Sequence, residues 1–280
     1  MDDELSTRLV IDFDGREPGG LDLEGLWMRN RLLERIFGEV EPMPRFGERW
    51  RLRDAAIEGP QLGLPVEDER GARGVLHFLI KPPSPAFEER LCATMNQYLR
   101  VEHEHLEPLL DVGMLDGRPW LVRPLERTRM MREWLHDEVE TWTELIDKFV
   151  GVCRAVAELH RAGIVHGELV PDAFVLDSRG RARVRGALEG NANRLASRRP
   201  ERANLSTDQA DLCMAIHGAL LAVETALVSE APAWLVELLE RGFAERAGEQ
   251  WPSVDAMVTH LEHRLRMRSR LVVLRGGAAA

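Results

Sequence analysis

The sequence predicts an α+β fold in two lobes. Short β-branched and aromatic runs bounded by turn residues are concentrated before residue 126, whereas capped, helically spaced apolar patterns fill most of the chain after it. Between these regimes the stretch Leu159 to Leu188 reads as a helix end, a loop and a hairpin. With 280 residues the chain can bury a sizeable core. It divides into an N-terminal extension (1–44), a first lobe (45–126), a second lobe (127–265) and a basic tail (266–280).

The extension has a Pro-Gly-Gly break at Pro18 to Gly20, then one helical pattern, Leu23, Leu26, Trp27, Leu33 and Phe37, stopped by Gly38. A lone helix with an apolar face is marginal in water until something covers that face. Leu26, Trp27, Leu33 and Phe37 are therefore interaction candidates. They are expected to pack on the first lobe, with a separate protein partner as the alternative.

Beyond Pro42 and Pro44, Arg45 to Leu52 reads as a first strand and Val75 to Lys81 as another, separated by a Gly-, Pro- and Glu-rich connection. A helix comes next, roughly Ala86 to Val101. The runs Leu109 to Met114 and Pro119 to Val122 flank an Asp116-Gly117 turn, which signals a hairpin. Arg127 to His136 reads as a short charged helix. Thr141-Trp142-Thr143-Glu144 has the form of a capping box, and Leu145, Phe149, Val152, Val156 and Leu159 continue at helical spacing until Gly163. After a loop centred on His166-Gly167-Glu168, the runs Phe174 to Leu176 and Ala182 to Val184 are joined by an Asp-Ser-Arg-Gly turn. Further helices are expected over Asp211 to Val223, opened by Ser206 to Gln209, over Pro232 to Phe243 and over Trp251 to Leu265.

Composition narrows the function classes. No apolar run approaches a membrane-spanning length and the chain starts with the acidic Met1-Asp2-Asp3-Glu4, so no membrane segment and a cytoplasmic location are expected. A net charge of −10 argues against a nucleic-acid partner. Cys92, Cys153 and Cys213 lie far apart without ligand spacing and read as small buried apolar residues.

In order and spacing the central stretch resembles the catalytic loop, hairpin and metal-binding triplet of bacterial serine/threonine protein kinases of the eukaryotic type, with H-R-D-L-K-P-x-N followed by D-F-G. His166, Leu169 and Pro171 match. Phe78-Leu79-Ile80-Lys81 is similar to V-A-I-K, His103-Glu104-His105-Leu106 to H-P-N-I, and Pro200-Glu201 to the end of A-P-E. Thr207-Asp208-Gln209 is similar to S-D-Q and Trp251-Pro252-Ser253 to F-P-S. The resemblance implies a two-lobed protein-kinase-like fold. It assigns His166 and Asp208 to shaping the loop, and Lys81 to whatever weak nucleotide binding survives.

The catalytic letters are changed. The base position holds Glu168, the Lys position Val170, the metal-binding Asn position Ala173, and the D-F-G position Gly186-Ala187-Leu188. Magnesium wants hard oxygen ligands, and neither Ala173 nor Gly186 has a side-chain oxygen. Phosphoryl transfer needs cradled phosphates, a placed metal and a carboxylate at the attacking hydroxyl. The glycine loop is degenerate, with Gly59, Pro60 and Gly63 between Ala55 and Leu64. Thr94 stands where helix C offers a Glu, Arg123 near the gatekeeper, and Gln250 where an Arg meets the A-P-E Glu. Only Ser197 offers a phosphate acceptor between Gly186 and Pro200.

The resemblance thus implies a pseudokinase without catalytic residues, metal or required cofactor, acting as a protein-binding scaffold or regulator. The alternatives are a sensor that binds ATP with or without Mg²⁺, and a weak kinase or other phosphoryl or nucleotidyl transferase using Glu168. In the tail, Arg264, Arg266, Arg268 and Arg270 alternate with Leu265, Met267, Ser269 and Leu271, a period that puts the arginines on one strand face. Around a helix they would spread out; they read first as the solvated tail of the last helix, and in the alternative as contacts for an acidic partner.

Overall fold

A tight hairpin opens the described residues. Gly47 and Glu48 both take positive φ, 57° and 58°, and split what reads as one strand into β1 (Arg45–Phe46) and β2 (Trp50–Leu52), paired Phe46 to Trp50. The computed structural model describes residues 45–276 apart from 54–62, 80–83, 116, 140, 197–203, 225–230, 245 and 247. Lys81, Pro200-Glu201 and the whole of 1–44, with Leu26, Trp27, Leu33 and Phe37, lie outside the described residues.

By its contacts the chain forms two compact units, Met1–Pro82 with Leu109–Leu125 and Pro83–Pro108 with Glu126–Ala280. The first carries a six-stranded antiparallel sheet in the order β1-β2-β3-β4-β6-β5. Strand β3 (Leu64–Glu67) falls in the stretch expected to be a connection. Pro65 disguises it, for proline supplies no N–H to a ladder; its carbonyl still accepts from Arg53 N at 2.8 Å. Strand β4 is Arg73–Phe78, shorter than the expected run to Lys81, and β5 (Asp111–Leu115) and β6 (Arg118–Pro124) form the expected hairpin. Leu115 pairs with Arg118, and Gly117 before it takes φ 72°. Phe46, Trp50, Val66, Leu76, Trp120 and Val122 form the core, with Phe46 edge-on to Phe78 and Trp120 at 5.9 Å.

The second unit is helical around a small sheet, β7 (Arg129–Met130), β8 (Phe174–Leu176) and β9 (Ala182–Val184). Helix α1 (Pro85–Tyr98) belongs to it by contacts; Ser84 caps its start through Phe87 N, and Phe87, Leu91, Met95 and Tyr98 make its buried stripe. The expected helix from Arg127 begins only at α2 (Met131–Asp137), because Arg129 and Met130 pair with β8. Helix α3 (Trp142–Arg161) starts as expected, with Thr141 Oγ1 accepting from Glu144 N at 3.2 Å, and ends where Gly163 turns to φ 72°.

Four more helices follow among the described residues of this unit. Helix α4 (Ala187–Ala196) was not expected from the sequence. Helix α5 (Leu205–Glu224) begins earlier than expected, since the cap is Asn204, whose Oδ1 accepts from Ser206 N and Thr207 N at 2.8 and 3.0 Å. Helix α6 is Ala233–Gly242. Helix α7 (Val254–Gly276) runs well past Leu265, so the tail residues to Gly276 are helical and the arginines do not share a strand face. The Arg154 guanidinium ties α3 to α7 through both oxygens of Glu262, at 3.0 and 2.7 Å. Cys153 and Cys213 are buried, and burial raises both thiols, that of Cys213 to about 12, so they pack as neutral groups.

Candidate functional site

The loop after α3 is built on one carboxylate. Asp208, on the first turns of α5, is wholly buried. Its Oδ2 accepts from His166 N at 2.6 Å and faces His160 Nε2 at 2.9 Å; its Oδ1 accepts from Gly167 N at 2.8 Å. Backbone donors in a buried turn need acceptors, and a single Asp meets two of them while holding an imidazole. His160, one residue before the end of α3, is the partner missed in the sequence; its spacing of six before His166 was the available signal.

His166 is 0 % exposed. Its Nδ1 accepts from Glu168 N at 3.3 Å, which leaves Nε2 to donate to Arg185 O at 2.9 Å, so the ring ties the loop to the end of β9. Burial pushes this imidazole below its ordinary 6.5, outweighing the pull of Asp208, and it is neutral in the fold. The unfolded chain takes up a proton near 6.5 where the folded chain does not; the stabilisation is full above that pH and is lost as pH falls through the folded value. His103 adds the same sign, through burial and the neighbouring His105. At Asp177 burial works upward, but the backbone donors Arg181 and Arg179 and the Arg183 charge hold it below 3.8, so its contribution is lost only in stronger acid. The urea midpoint should therefore decline between pH 6.5 and 5, and a flat profile there would contradict the assignment.

The four catalytic positions lie along this frame. Glu168 is exposed, Val170 is 47 % exposed and Ala173 is buried in the 3-10 turn Pro171–Ala173. Gly186 has φ 86°, and a Cβ there would meet nothing within 4 Å. The Arg185 guanidinium occupies the neighbouring surface: its Nε donates to Asp172 O at 3.2 Å, and Nη2 lies 3.4 Å from Met130 Sδ. Arg132 pairs with the Asp172 carboxylate at 2.9 Å. The two metal-ligand positions bring no oxygen side chain. Among the described residues no three His, Cys, Asp or Glu side chains converge to hold a metal.

Helix α4 lies directly on the loop. Gly190 N closes a turn onto Gly186 O at 2.8 Å. A Cβ at Gly190 would stand 2.3 Å from His166 O and 3.0 Å from Glu168 Cβ, so only glycine permits this approach. The same helix packs against α1. Elsewhere in the second unit, Thr94 Oγ1 donates to its own helix at Arg90 O, 3.0 Å away. Gln250 bonds Ser206 Oγ and donates to Ala244 O at 2.9 Å. In the first unit Arg123 sits on β6 opposite Val75.

The architecture has solved counterparts. A crystal structure of the Mycobacterium tuberculosis PknI kinase domain aligns with a TM-score of 0.59 over 76 % of this chain and 95 % of that one, at 17 % identity. The fold is protein-kinase-like. A doubly substituted form of the same kinase domain gives 0.60 over 76 % and 94 % at 16 % identity, and a further structure of it 0.58 over 77 % and 94 % at 18 %. No protein-family model matches the sequence, and neither does any curated protein. Within this kinase-like fold the α+β order expected from the sequence holds, and His166, Glu168, Val170, Ala173, Gly186 and Asp208 lie together in the second unit.

Proposed function

We propose that this chain is a catalytically inactive protein-kinase-like protein that acts by binding another protein. The observation that carries the reading is the pairing of an intact frame with missing ligands. Asp208, His166 and His160 hold the loop, while Ala173 and Gly186 leave no side-chain oxygen for a metal. A fold kept without its chemistry is kept for its surface. The seat of α4 on the loop through Gly190 supports the same reading, because it commits the segment after Gly186 to packing. No cofactor is required for this role.

One observation favours an enzyme. Glu168 keeps an exposed carboxylate at the base position, and a weak kinase using it with an atypical metal site would retain Mg²⁺-ATP. A transfer assay decides between them. With labelled ATP and either Mg²⁺ or Mn²⁺, no phosphate should pass to the chain itself or to added protein, and Glu168→Gln should change neither this nor the melting curve. Incorporation by the native chain that disappears in Glu168→Gln would establish the enzyme instead.

A further inference from the structure

The far half of α7 carries a charge pattern that neither the loop nor the core uses. Residues 263–280 hold five arginines and no carboxylate; with −10 for the whole chain and +5 here, residues 1–262 carry −15. Helical backbone to Gly276 assigns these residues to faces. Val254, Met257, Val258 and Leu261 form the buried row against the body, and the backbone positions of Leu265 and Val272 fall in line with it by helical spacing. A second apolar row, Met267, Leu271 and Leu274, falls at i, i+4 and i+7, roughly 130° round the helix at about 100° per residue. Arg264, Arg268 and Arg275 take the positions on one side of this row, Arg266 and Arg270 those on the other. Met267, which begins it, is 47 % exposed. Arg264 is already committed, its guanidinium 5.1 Å from the Trp234 ring centre.

We propose that the segment from Met267 to Arg275 is an interfacial helix that lies on an anionic phospholipid surface. An apolar row with cations along both flanks matches a plane that is negative at the headgroups and apolar just beneath. The guanidinium groups meet phosphates while Met267, Leu271 and Leu274 enter the acyl boundary. An acidic protein surface would satisfy the arginines and leave the apolar row in water. The mode is peripheral, since among the described residues no helix is long and apolar enough to cross a membrane. The repulsion between a −15 body and anionic lipid makes the basic helix necessary for approach. The inference is independent of whether the chain transfers phosphate.

Co-sedimentation of the full chain with vesicles tests it, using phosphatidylcholine alone and with about one third phosphatidylglycerol, at about 0.1 M salt. Binding is expected only to the anionic vesicles. R266Q/R270Q should weaken it about thirtyfold. M267S/L271S, which leaves the charge unchanged, should abolish most of it, and both variants should melt as the native chain does. No binding to anionic vesicles overturns the proposal. So does binding that survives M267S/L271S, which would mean charge alone, or polyglutamate binding as tightly as the vesicles, which would mean an acidic protein partner. A dimer lost in R266Q/R270Q, with no vesicle binding, would assign the helix to a second copy.

Discussion

Replacing Asp208 by alanine should lower the stability of the chain by about 3–5 kcal/mol, read as a fall in the urea midpoint. The carboxylate is the acceptor for His166 N and Gly167 N and the partner of His160 Nε2, all at 2.9 Å or less. Alanine leaves these groups buried beside a small void, without water to replace the lost oxygens. Asp208→Asn keeps one acceptor oxygen and should cost about half as much. Backbone exchange at His166 and Gly167 should rise in step with the loss. An alanine variant within about 1 kcal/mol of the native chain would show that the loop is held by something else.

The second large effect is expected at Gly190. Alanine there should destabilise by about 3 kcal/mol, because its Cβ would press to 2.3 Å of the His166 carbonyl and neither backbone can move without breaking the Asp208 network. Gly218, on α5, has nothing within 4 Å of its virtual Cβ. Gly218→Ala should therefore stabilise by about 0.5–1 kcal/mol, the ordinary gain for a helix interior. Opposite signs for the same chemical change separate the seat of α4 from helix propensity. Equal signs would mean that α4 does not rest on the loop.

The loop was legible because its physical needs leave a mark in the letters. A tight buried turn after a glycine-stopped helix wants one acceptor from elsewhere, and the order His166 then Asp208 supplies it. The two positions without a metal-binding oxygen were equally legible, since Ala173 and Gly186 have none to offer whatever the surroundings. Other features had no such mark. Strand β3 hides behind Pro65, and the β1–β2 turn uses Gly47-Glu48 in place of the Asn-Gly or Asp-Gly that signals a hairpin. Helix α4 was missed because the kinase resemblance leads one to expect an irregular segment there, although Leu188 and Ala192 recur at helical spacing and are buried. The end of α7 shows the ambiguity of a short alternating run. Arg, Leu and Met favour helix, and continuity with a packed helix outweighs a period of two.

Whether the frame of a kinase persists here without its metal-nucleotide site is decided by thermal melts with and without millimolar ATP and Mg²⁺. A ligand at a hundred times its dissociation constant stabilises by roughly 2.7 kcal/mol, a shift that such melts resolve. No shift is expected, and Lys81→Ala should keep the same midpoint with and without nucleotide. A clear Mg²⁺-dependent rise in the native chain that disappears in Lys81→Ala would mean that the nucleotide site has survived.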